Sequence, residues 1–383
     1  MPTLNRPSYS LSGDQEELIH HICDQFAIEG AYAGGEEVPS GHINSTYRVS
    51  YERESGGVRR YILQRINETV FKDPLAVMRN VECVTHHINW KVLRVKKDLG
   101  GQTLSLYPDK TGRFYVRGEG GGIWRCYNYL EGCKSHDVVE NTRQAYEAGH
   151  AFGAFQDLVS DLPPAEIVET IPDFHHTPKR FDRLMEAVAR DEVGRAAGIA
   201  GELDFVRRSE GALGRLQEMR DAGELPVRIT HNDTKINNVM FDAETDEAVC
   251  VIDLDTVMPG LSLYDFGDLV RTATNPAEED ERDLSKVEMR LAVFEALAEG
   301  YLKSAGRKLS EAEISQLAFS SRVVAIELGM RFLTDHLNGD KYFRVRREGQ
   351  NLDRARTQLK MAACFADREA EMDKFVRTVM KSL

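Results

Sequence analysis

Apolar residues recur along this chain with two different periods, and the period changes near residue 132. Before that point, short runs of alternating apolar and polar residues predict strands over 37–39, 45–52, 58–66 and 122–130. Gly56-Gly57 joins the second and third strands as a hairpin, and another hairpin turns over 108–112. This alternation is typical of an antiparallel sheet that buries one face.

Two helices accompany the predicted sheet. Ser12 and Gln15 have the spacing of a capping box, which predicts that a leading helix begins after Ser12. Asp73 before Pro74 is typical of an N-cap followed by the first helical residue. The apolar spacing after this pair predicts a second helix that ends near Trp90.

Beyond residue 132 the apolar period becomes helical. Long amphipathic patterns predict helices over 138–158, 179–191, 201–222, 285–305 and 311–337. Only the segment near 228–253 has the pattern of strand and loop. The sequence therefore predicts an α/β (α+β) chain of two domains, a sheet-bearing domain over 1–131 and a larger, mostly helical domain over 132–383.

Charge and composition narrow the classes of protein. The 383 residues carry 49 Lys and Arg against 62 Asp and Glu, a net charge of −13, which would repel nucleic acid. No segment approaches the ~20 apolar residues that span a bilayer, and the N-terminus lacks a signal peptide's basic start and apolar run. Six scattered cysteines without a CxxC pair indicate neither zinc nor disulfides. We therefore expect a cytoplasmic protein, a monomer or small homo-oligomer, with neither nucleic-acid nor membrane partners.

Residues 230–256, THNDTKINNVMFDAETDEAVCVIDLDT, carry the candidate chemistry. Phosphoryl transfer from a nucleotide needs one carboxylate to orient the attacking hydroxyl and hard oxygen ligands to hold magnesium on the phosphates. Asp233 and Asn238 on a predicted loop, with Asp253 at the end of an apolar strand, supply these groups. We expect His231 to shape the loop through backbone hydrogen bonds.

The pattern HxDxxxxN followed by IDxD resembles the catalytic core shared by protein kinases and the aminoglycoside, choline and homoserine kinases. Three longer strings are similar to those of the N-acetylhexosamine 1-kinases, a branch of the aminoglycoside phosphotransferase family: ITHNDTKINNV, CVIDLDTVMPGLSLYDFGD and ELGMRFLTDHLNGDKYF. The likeness runs from about residue 30 to residue 360. It implies a bilobed protein-kinase-like fold with a nucleotide-binding N-terminal lobe and a catalytic and substrate-binding helical C-terminal lobe.

The resemblance also implies roles in the catalytic segment. Asp233 would accept the proton of the acceptor hydroxyl, and Lys235 would lend positive charge to the transferring phosphoryl group. Asn238 and Asp253 would hold Mg2+ on the ATP phosphates. Asp255 is either a second metal ligand or a hydrogen-bond anchor.

The first domain would bind the nucleotide. Polar residues of the segment 39–49 would cover the phosphates: His42, Asn44, Ser45 and Thr46. The third strand has Gln64 and Arg65 where kinases carry a lysine, and we choose Arg65 because an apolar residue follows it as in the family strand. The stretch 124–132 resembles the hinge that contacts adenine, which implies roles for Tyr127 and Tyr129.

The acceptor pocket is expected in the helical domain, facing Asp233. Arg331 resembles the arginine that holds sugar hydroxyls in the hexosamine kinases, and Tyr342 would close the same wall. The histidine pairs, including His175-His176, are expected to be exposed.

The function implied is an ATP-dependent, Mg2+-dependent kinase that phosphorylates the anomeric hydroxyl of GlcNAc or GalNAc to the 1-phosphate. Two alternatives stay open. One is a small-alcohol kinase of the same fold, for an aminoglycoside, choline or homoserine. The other is a catalytically inactive kinase fold that serves as a binding module.

Overall fold

The structure, a computed structural model, describes residues 9–38, 43–94 and 103–383. In chain order its strands are β1 (Tyr9–Ser10), β2 (Ala31–Glu37), β3 (Ser45–Glu52), β4 (Val58–Arg65), β5 (Leu106–Tyr107), β6 (Val116–Arg117), β7 (Ile123–Asn128), β8 (Cys133–Lys134), β9 (Arg228–Thr230), β10 (Val239–Asp242), β11 (Ala248–Val251) and β12 (Met258–Gly260). Its α-helices are α1 (Gly13–Cys23), α2 (Pro74–Arg94), α3 (Thr142–Leu158), α4 (Thr177–Arg190), α5 (Ala200–Leu213), α6 (Arg215–Asp221), α7 (Ser262–Thr274), α8 (Leu291–Ala305), α9 (Glu311–Leu337) and α10 (Gln350–Ser382).

The chain divides into two compact units. The first holds the chain up to Lys134 together with Ala165–Ile171 and Met240–Met258. The second holds Ser135–Pro164, Pro172–Val239 and Pro259–Leu383.

An antiparallel sheet of order β1-β2-β3-β4-β7-β5 forms the centre of the first unit, and β6 also pairs with β7. Ser45 pairs with Arg65 and Glu52 with Val58, so β3 and β4 form the predicted hairpin. A smaller sheet of order β11-β10-β8 belongs largely to the same unit.

Helix α1 covers one face of the main sheet. Ile19 and Ile22 on the helix pack with Val49, Leu63 and Cys126, all of which have almost no exposed surface. These strand residues lie two apart or opposite one another in the register, so the alternation along β3, β4 and β7 directs them to the same side. The opposite face carries the even-numbered residues of β3 and β4.

The leading helix, the hairpin of β3 and β4, the later strand β7 and helix α2 are confirmed, with differences at the ends of the elements. The predicted hairpin over 108–112 is wrong, because the strands on either side of that turn, β5 and β6, pair with β7 and not with each other. Ser12 caps α1 and forms the capping box with Gln15. Strand β2 ends at Glu37 but begins at Ala31, earlier than predicted, because the glycines Gly34 and Gly35 hide the strand pattern where a register shift interrupts the pairing. Helix α2 extends beyond Trp90 to Arg94.

The second unit is mostly helical, with α3 packed along α8 and α9 packed against α7 and α10. Helix α9 spans the predicted 311–337, whereas the predicted helix over 201–222 is divided at Gly214 into α5 and α6. The strands β9 and β12 form a separate two-stranded sheet. Of the described residues, no helix combines the length and apolar character needed to cross a membrane.

Helices α7 and α10 were not predicted from the sequence. Nearly every residue of α7 is buried, including Asp265 and Asp268, so the helix has no polar face to reveal a helical period. In α10, a 33-residue helix, buried residues are spread thinly among charged ones. Both helices therefore depend on their tertiary neighbours.

Helices α3 and α8 approach closely because glycines face the backbone of the other helix. A Cβ built on Gly149 would lie 2.0 Å from the carbonyl oxygen of Leu297, and one on Gly300 would lie 2.1 Å from that of Tyr146. A backbone carbonyl cannot rotate away as a side chain can. The two helices would have to separate to accept even a methyl group.

We therefore expect Gly149→Ala to reduce the free energy of unfolding by about 1–3 kcal/mol, the usual cost of overpacking. Gly211→Ala is the matched control, since Gly211 is an exposed residue of α5 and a Cβ there has nothing within 4 Å. That variant should gain ~0.5–1 kcal/mol from helix propensity. Urea unfolding followed by circular dichroism measures both, and equal effects would contradict the close crossing.

Candidate active site

The loop after β9 brings together three of the predicted residues. Asn238 Nδ2 donates to the main-chain oxygen of Asp233 at 2.9 Å and to its Oδ2 at 3.1 Å. Lys235 Nζ lies 3.0 Å from the same Oδ2. About a third of the Asp233 side chain stays exposed, so its carboxylate is fixed by neighbours and still open to a small molecule.

Asp265 on α7 anchors this loop from below. Its two carboxylate oxygens accept hydrogen bonds from the backbone N–H of His231 at 2.8 Å and of Asn232 at 2.7 Å. Gln156 Nε2 donates to it at 2.8 Å, and Thr234 Oγ1 donates to its main-chain oxygen at 2.6 Å. These bonds hold the backbone where Asn232 adopts a φ of 63°, a left-handed conformation that asparagine tolerates better than most residues.

His231 is a buried member of the loop. Its ring packs edge to face with Phe152 and Phe155, at centroid distances of 5.4 and 5.7 Å. Its Nδ1 accepts the backbone N–H of Asp233 at 3.3 Å. His231 thus fixes the start of the loop through a backbone bond, as expected from the sequence.

The surroundings of Asp233 favour its ionised form. Burial by itself would raise the pKa of this carboxyl. The positive charge of Lys235, with hydrogen bonds from Lys235 and Asn238, more than offsets burial, and the pKa lies below its ordinary value. Asp233 is therefore an anion throughout the neutral range.

Asp253 follows β11 in the first unit, with a φ of 65° that is unusual for a residue other than glycine. Asp255, two residues later, has both oxygens engaged: Oδ1 lies 2.5 Å from Arg125 Nη1, and Oδ2 accepts from Asn44 Nδ2 at 2.6 Å. Of the two alternatives for Asp255, these contacts favour a hydrogen-bond anchor over a second metal ligand. Asn238 belongs to the second unit.

The donor set fits a divalent cation held mainly by a nucleotide. The Nδ2 of Asn238 is occupied by Asp233, which leaves the amide oxygen as the atom to offer a metal. Among residues 9–38, 43–94 and 103–383, no three His, Cys, Asp or Glu side chains cluster as a metal cage. Mg2+ is commonly bound through one or two protein ligands, with phosphate oxygens and waters completing its octahedron.

The predicted nucleotide residues divide between the two faces of the main sheet. Thr46 Oγ1 accepts from Gln64 Nε2 at 3.0 Å, and Gln64 Oε1 accepts from Arg125 Nη2 at 2.8 Å. The Arg125 guanidinium lies over the ring of Tyr127, 5.0 Å from its centroid. Asn44 joins this group through Asp255. The face opposite α1 therefore carries Thr46 and Tyr127 together with Gln64 and Arg125, which were not among the chosen nucleotide-binding residues.

Arg65 and Ser45 are not part of that group. They pair with each other in the register and lie on the other face from Thr46 and Gln64, since successive strand residues alternate. The Arg65 guanidinium lies against Gly122, where a Cβ would meet its Nε at 2.6 Å. The choice of Arg65 over Gln64 as the inward residue does not match this geometry, because strand alternation, rather than the apolar residue that follows, sets the direction of a side chain.

Tyr129 and His42 complete the predicted nucleotide set. Tyr129 follows β7, and its ring lies under the guanidinium of Arg60 at 4.7 Å, with that of Arg48 at 5.8 Å. His42 lies outside the described residues.

Arg125 is the residue that the sequence analysis missed. It is only 1% exposed, although it stands in the centre of a buried strand, IWRCYN. Burial alone would lower the pKa of the guanidinium, but the neighbouring carboxylates of Asp255 and Asp253 hold it above its ordinary value. A lone charged residue within an apolar strand was the available signal, since such a residue requires a buried partner.

A second cluster in the helical unit contains the predicted acceptor residues. The Arg331 guanidinium lies between the rings of Phe174 and Phe343, at 5.3 and 5.6 Å from their centroids. Tyr342 packs edge to face on Phe343 at 4.8 Å and is 65% exposed. Asp335 accepts the backbone N–H groups of Tyr342 and Phe343 at 2.8 and 2.9 Å, which fixes this segment.

A buried carboxylate, Glu327, adjoins the same cluster. It accepts from Thr177 Oγ1 at 2.7 Å and lies 2.9 Å from His175 Nδ1. Burial would raise the pKa of Glu327, but His175 and Arg331 more than offset it and the pKa is lowered. The expectation that both histidines of this pair are exposed is wrong for His175, whose side chain is 10% exposed, because it pairs with a buried acid.

The nearby guanidinium of Arg180 shows the sign of the local potential. Burial first, and then the charge of Arg331, lowers the pKa of Arg180 to about 10, although Glu327 acts in the opposite direction. Arg180 and Arg331 therefore lie near enough to affect one another, and Glu327 partly offsets their charge.

The loop aspartate held by a lysine and an asparagine, and separately the polar face of the main sheet, fit an ATP-dependent kinase of small molecules. The model of the phosphotransferase enzyme family matches residues 34–306, more than half of the chain. The chain belongs to this family, which includes the aminoglycoside phosphotransferases and choline kinase-like enzymes. Members act with ATP and a divalent cation.

Solved structures support the fold. A microcompartment-associated aminopropanol kinase is similar with a TM-score of 0.61 at 16% identity, over 93% of this chain and 98% of its own. An aminoglycoside phosphotransferase from Alicyclobacillus acidocaldarius has a TM-score of 0.58 at 13% identity, over 99% of each chain. An amicoumacin kinase, solved with AMP-PNP and Ca2+, has a TM-score of 0.53 at 13% identity, over 96% and 93%. The predicted kinase-like fold, with an antiparallel sheet and helix followed by a mostly helical part, is confirmed.

The charge of Lys235 gives a testable pH dependence. In the native enzyme the lowered pKa of Asp233 keeps it ionised, so loss of activity from its protonation should begin only below its ordinary value of ~3.9. We expect Lys235→Met to move the acid limb of kcat/KM to higher pH. The variant lacks the positive charge that stabilises the ionised Asp233 carboxylate, so the pKa of Asp233 should rise.

The measurement is a pH profile of kcat/KM from about pH 3 to 9, so that the native acid limb falls within the measured range. Lys308→Met, at a surface lysine of the same unit, is the control and should leave the limb unchanged. An unmoved limb in Lys235→Met would contradict the electrostatic role of Lys235.

Proposed function

We propose that this kinase transfers the γ-phosphate of ATP to the anomeric hydroxyl of an N-acetylhexosamine. The supporting observation is the chemistry of the cluster around Arg331, which offers guanidinium donors, aromatic faces and little free negative charge. A neutral sugar suits such a surface, since hydroxyl and acetamido oxygens accept from guanidinium N–H groups and the apolar ring face packs on aromatic rings. The sequence similarity to the N-acetylhexosamine 1-kinases points to the same acceptor.

Asp233 is the proposed base. The acceptor oxygen attacks the γ-phosphorus as the bond to the ADP oxygen breaks, and the hydroxyl proton passes to the Asp233 carboxylate. An ionised carboxylate of low pKa suffices because the transition state is loose, and the proton leaves late. An anomeric hydroxyl is more acidic than other sugar hydroxyls, which eases this transfer.

Lys235 is placed by its ion pair to support this step. It is 3.0 Å from Asp233 Oδ2 and can orient the carboxylate while offering positive charge to the phosphoryl oxygens. Asn238 and Asp253 are the proposed ligands of Mg2+, which when bound neutralises phosphate charge.

The nucleotide is proposed to lie on the sheet face opposite α1. Asn44 and Thr46 would serve the phosphates, and Tyr127 and Tyr129 the adenine side. Gln64 replaces Arg65 in this proposal, because Gln64 shares a face with Thr46.

The same electrostatics disfavour the cationic acceptors. Choline and aminoglycosides carry positive charge and require an aromatic cage or free carboxylates. Near Arg331, Glu327 is already engaged by His175 and Thr177, and Asp335 by the backbone N–H groups of Tyr342 and Phe343. An inactive binding module is disfavoured because Asp233, Lys235 and Asn238 are assembled in a catalytic arrangement.

The direct experiment is an acceptor screen with MgATP. We expect ADP release with GlcNAc or GalNAc, a product whose phosphate is on C1 by NMR, and negligible turnover with choline, homoserine and kanamycin. Asp233→Asn should lower kcat by about 10²–10⁴, the usual contribution of a positioned base. Phosphorylation of an amine-bearing acceptor in preference to either sugar would overturn the proposal.

Arg331→Met tests the acceptor cluster separately. Loss of a charged hydrogen bond worth ~1.5–3 kcal/mol predicts a 10- to 100-fold rise in KM for the sugar with KM for ATP within about twofold. Arg322→Met is the matched control, since Arg322 is on the same helix but faces Glu369. A rise in KM for ATP alone would remove Arg331 from the acceptor site.

A further inference from the structure

Arg125 is a buried cation with two separate polar partners in the first unit. Its Nε and Nη2 donate to Gln64 Oε1 at 3.1 and 2.8 Å, and its Nη1 lies 2.5 Å from Asp255 Oδ1. Both members of the ion pair are almost wholly removed from solvent, at 1% and 4% exposure. Removing two charges from water is costly. Such a pair is stable only when its geometry is good and further hydrogen bonds satisfy both charged groups.

The contacts continue on both sides of the pair. Asp255 Oδ2 accepts from Asn44 Nδ2 at 2.6 Å, and Asn44 Oδ1 accepts from the backbone N–H of Asn67 at 3.0 Å. On the other side, Gln64 Nε2 donates to Thr46 Oγ1 at 3.0 Å. Asn44 and Thr46 flank Ser45 at the start of β3. Both ends of the network therefore meet at one short turn, residues 44–46.

This network links that turn to the strand exit that carries Asp253. Asp255 is two residues beyond Asp253, on a short turn of 3-10 helix, Leu254–Thr256, that begins from the left-handed conformation of Asp253. A displacement of Asp255 would therefore move the backbone of Asp253. Both Asp255 oxygens are engaged within the first unit, so Asp255 fixes the turn that follows Asp253.

We propose that Arg125 is a positioning residue for phosphoryl transfer, which neutralises Asp255 and through it holds the turn at Asn44 and Thr46 in register with Asp253. It acts from β7, opposite Gln64 on β4 in the register of the sheet. It does not contact phosphate, because its guanidinium is buried and three of its nitrogens face Gln64 and Asp255. Asp255 is accordingly an anchor and not a metal ligand.

Three variants test this assignment: Arg125→Gln, Asp255→Asn and the double variant with both changes. Arg125→Gln leaves the Asp255 carboxylate buried beside Asp253 without its cation. We expect at least a tenfold weaker affinity for Mg·AMP-PNP, measured by calorimetry, and a higher Mg2+ concentration for half-maximal binding. The double variant removes both charges and keeps an amide pair, so it should recover affinity to within about threefold of the native protein.

The control is Arg59→Gln, since Arg59 is exposed on the same strand as Gln64 and packs on Tyr61 and Tyr107. It should bind the nucleotide as the native protein does. Thermal unfolding of each variant separates weakened folding from weakened positioning, because the affinity is measured on protein that is folded at the working temperature. If Arg125→Gln does not fold, Arg125→Lys takes its place; it keeps the charge, loses the fork that reaches both partners, and should also weaken binding tenfold.

A double variant no better than Arg125→Gln would overturn the proposal, since it would mean that the guanidinium itself serves the nucleotide. Loss of Mg2+ dependence in Asp255→Asn and in the double variant alike would equally overturn it, by making Asp255 a ligand. The readout needs no acceptor. A failure of the sugar assignment would therefore leave this result unchanged.

Discussion

A buried carboxylate must have each oxygen partnered, and this constraint organises the functional loops of both units. In the helical unit Asp265 accepts two backbone N–H groups of the catalytic loop and a side-chain amide. Its pKa is raised because burial outweighs those bonds, so the site depends on the bonds being complete. In the sheet unit Asp255 is shared between a buried arginine and an asparagine. Asp265 and Asp255 need not take part in the reaction. Asp265 fixes the backbone next to Asp233, and Asp255 fixes the turn next to Asp253.

The neighbouring aspartates, Asp233 and Asp253, differ in their surroundings. Asp233 stays partly exposed and is kept ionised by Lys235 and Asn238, as suits a group that orients a hydroxyl. Asp253 is presented by a backbone in the left-handed conformation, a cost of about 1–3 kcal/mol that a surrounding network must offset. Arg125 and Asp255 provide that network within the same unit.

The electrostatics of the helical unit bear on the acceptor. Arg180 and Arg331 share one carboxylate with His175, so a cationic ligand would meet a surface already rich in positive charge. The aromatic rings of Phe174 and Phe343 hold the Arg331 guanidinium in a fixed plane. A fixed guanidinium loses less entropy on binding a neutral, oxygen-rich molecule.

Local pattern determined much of the chain by itself. The capping box of α1, the hairpin of β3 and β4 and the full extent of α9 all follow from short-range spacing, because each depends on residues a few positions apart. The grouping of Asp233, Lys235 and Asn238 is equally local, since the three lie within six positions of the chain. Tertiary structure decided the rest. Helix α7 is buried on all sides and has no period to detect, and the sheet register directs Gln64 rather than Arg65 toward Thr46. The partnership of Arg125 with Asp255 joins residues 130 positions apart, and only the tertiary fold brings Asp255 to β7, where it makes a buried arginine stable.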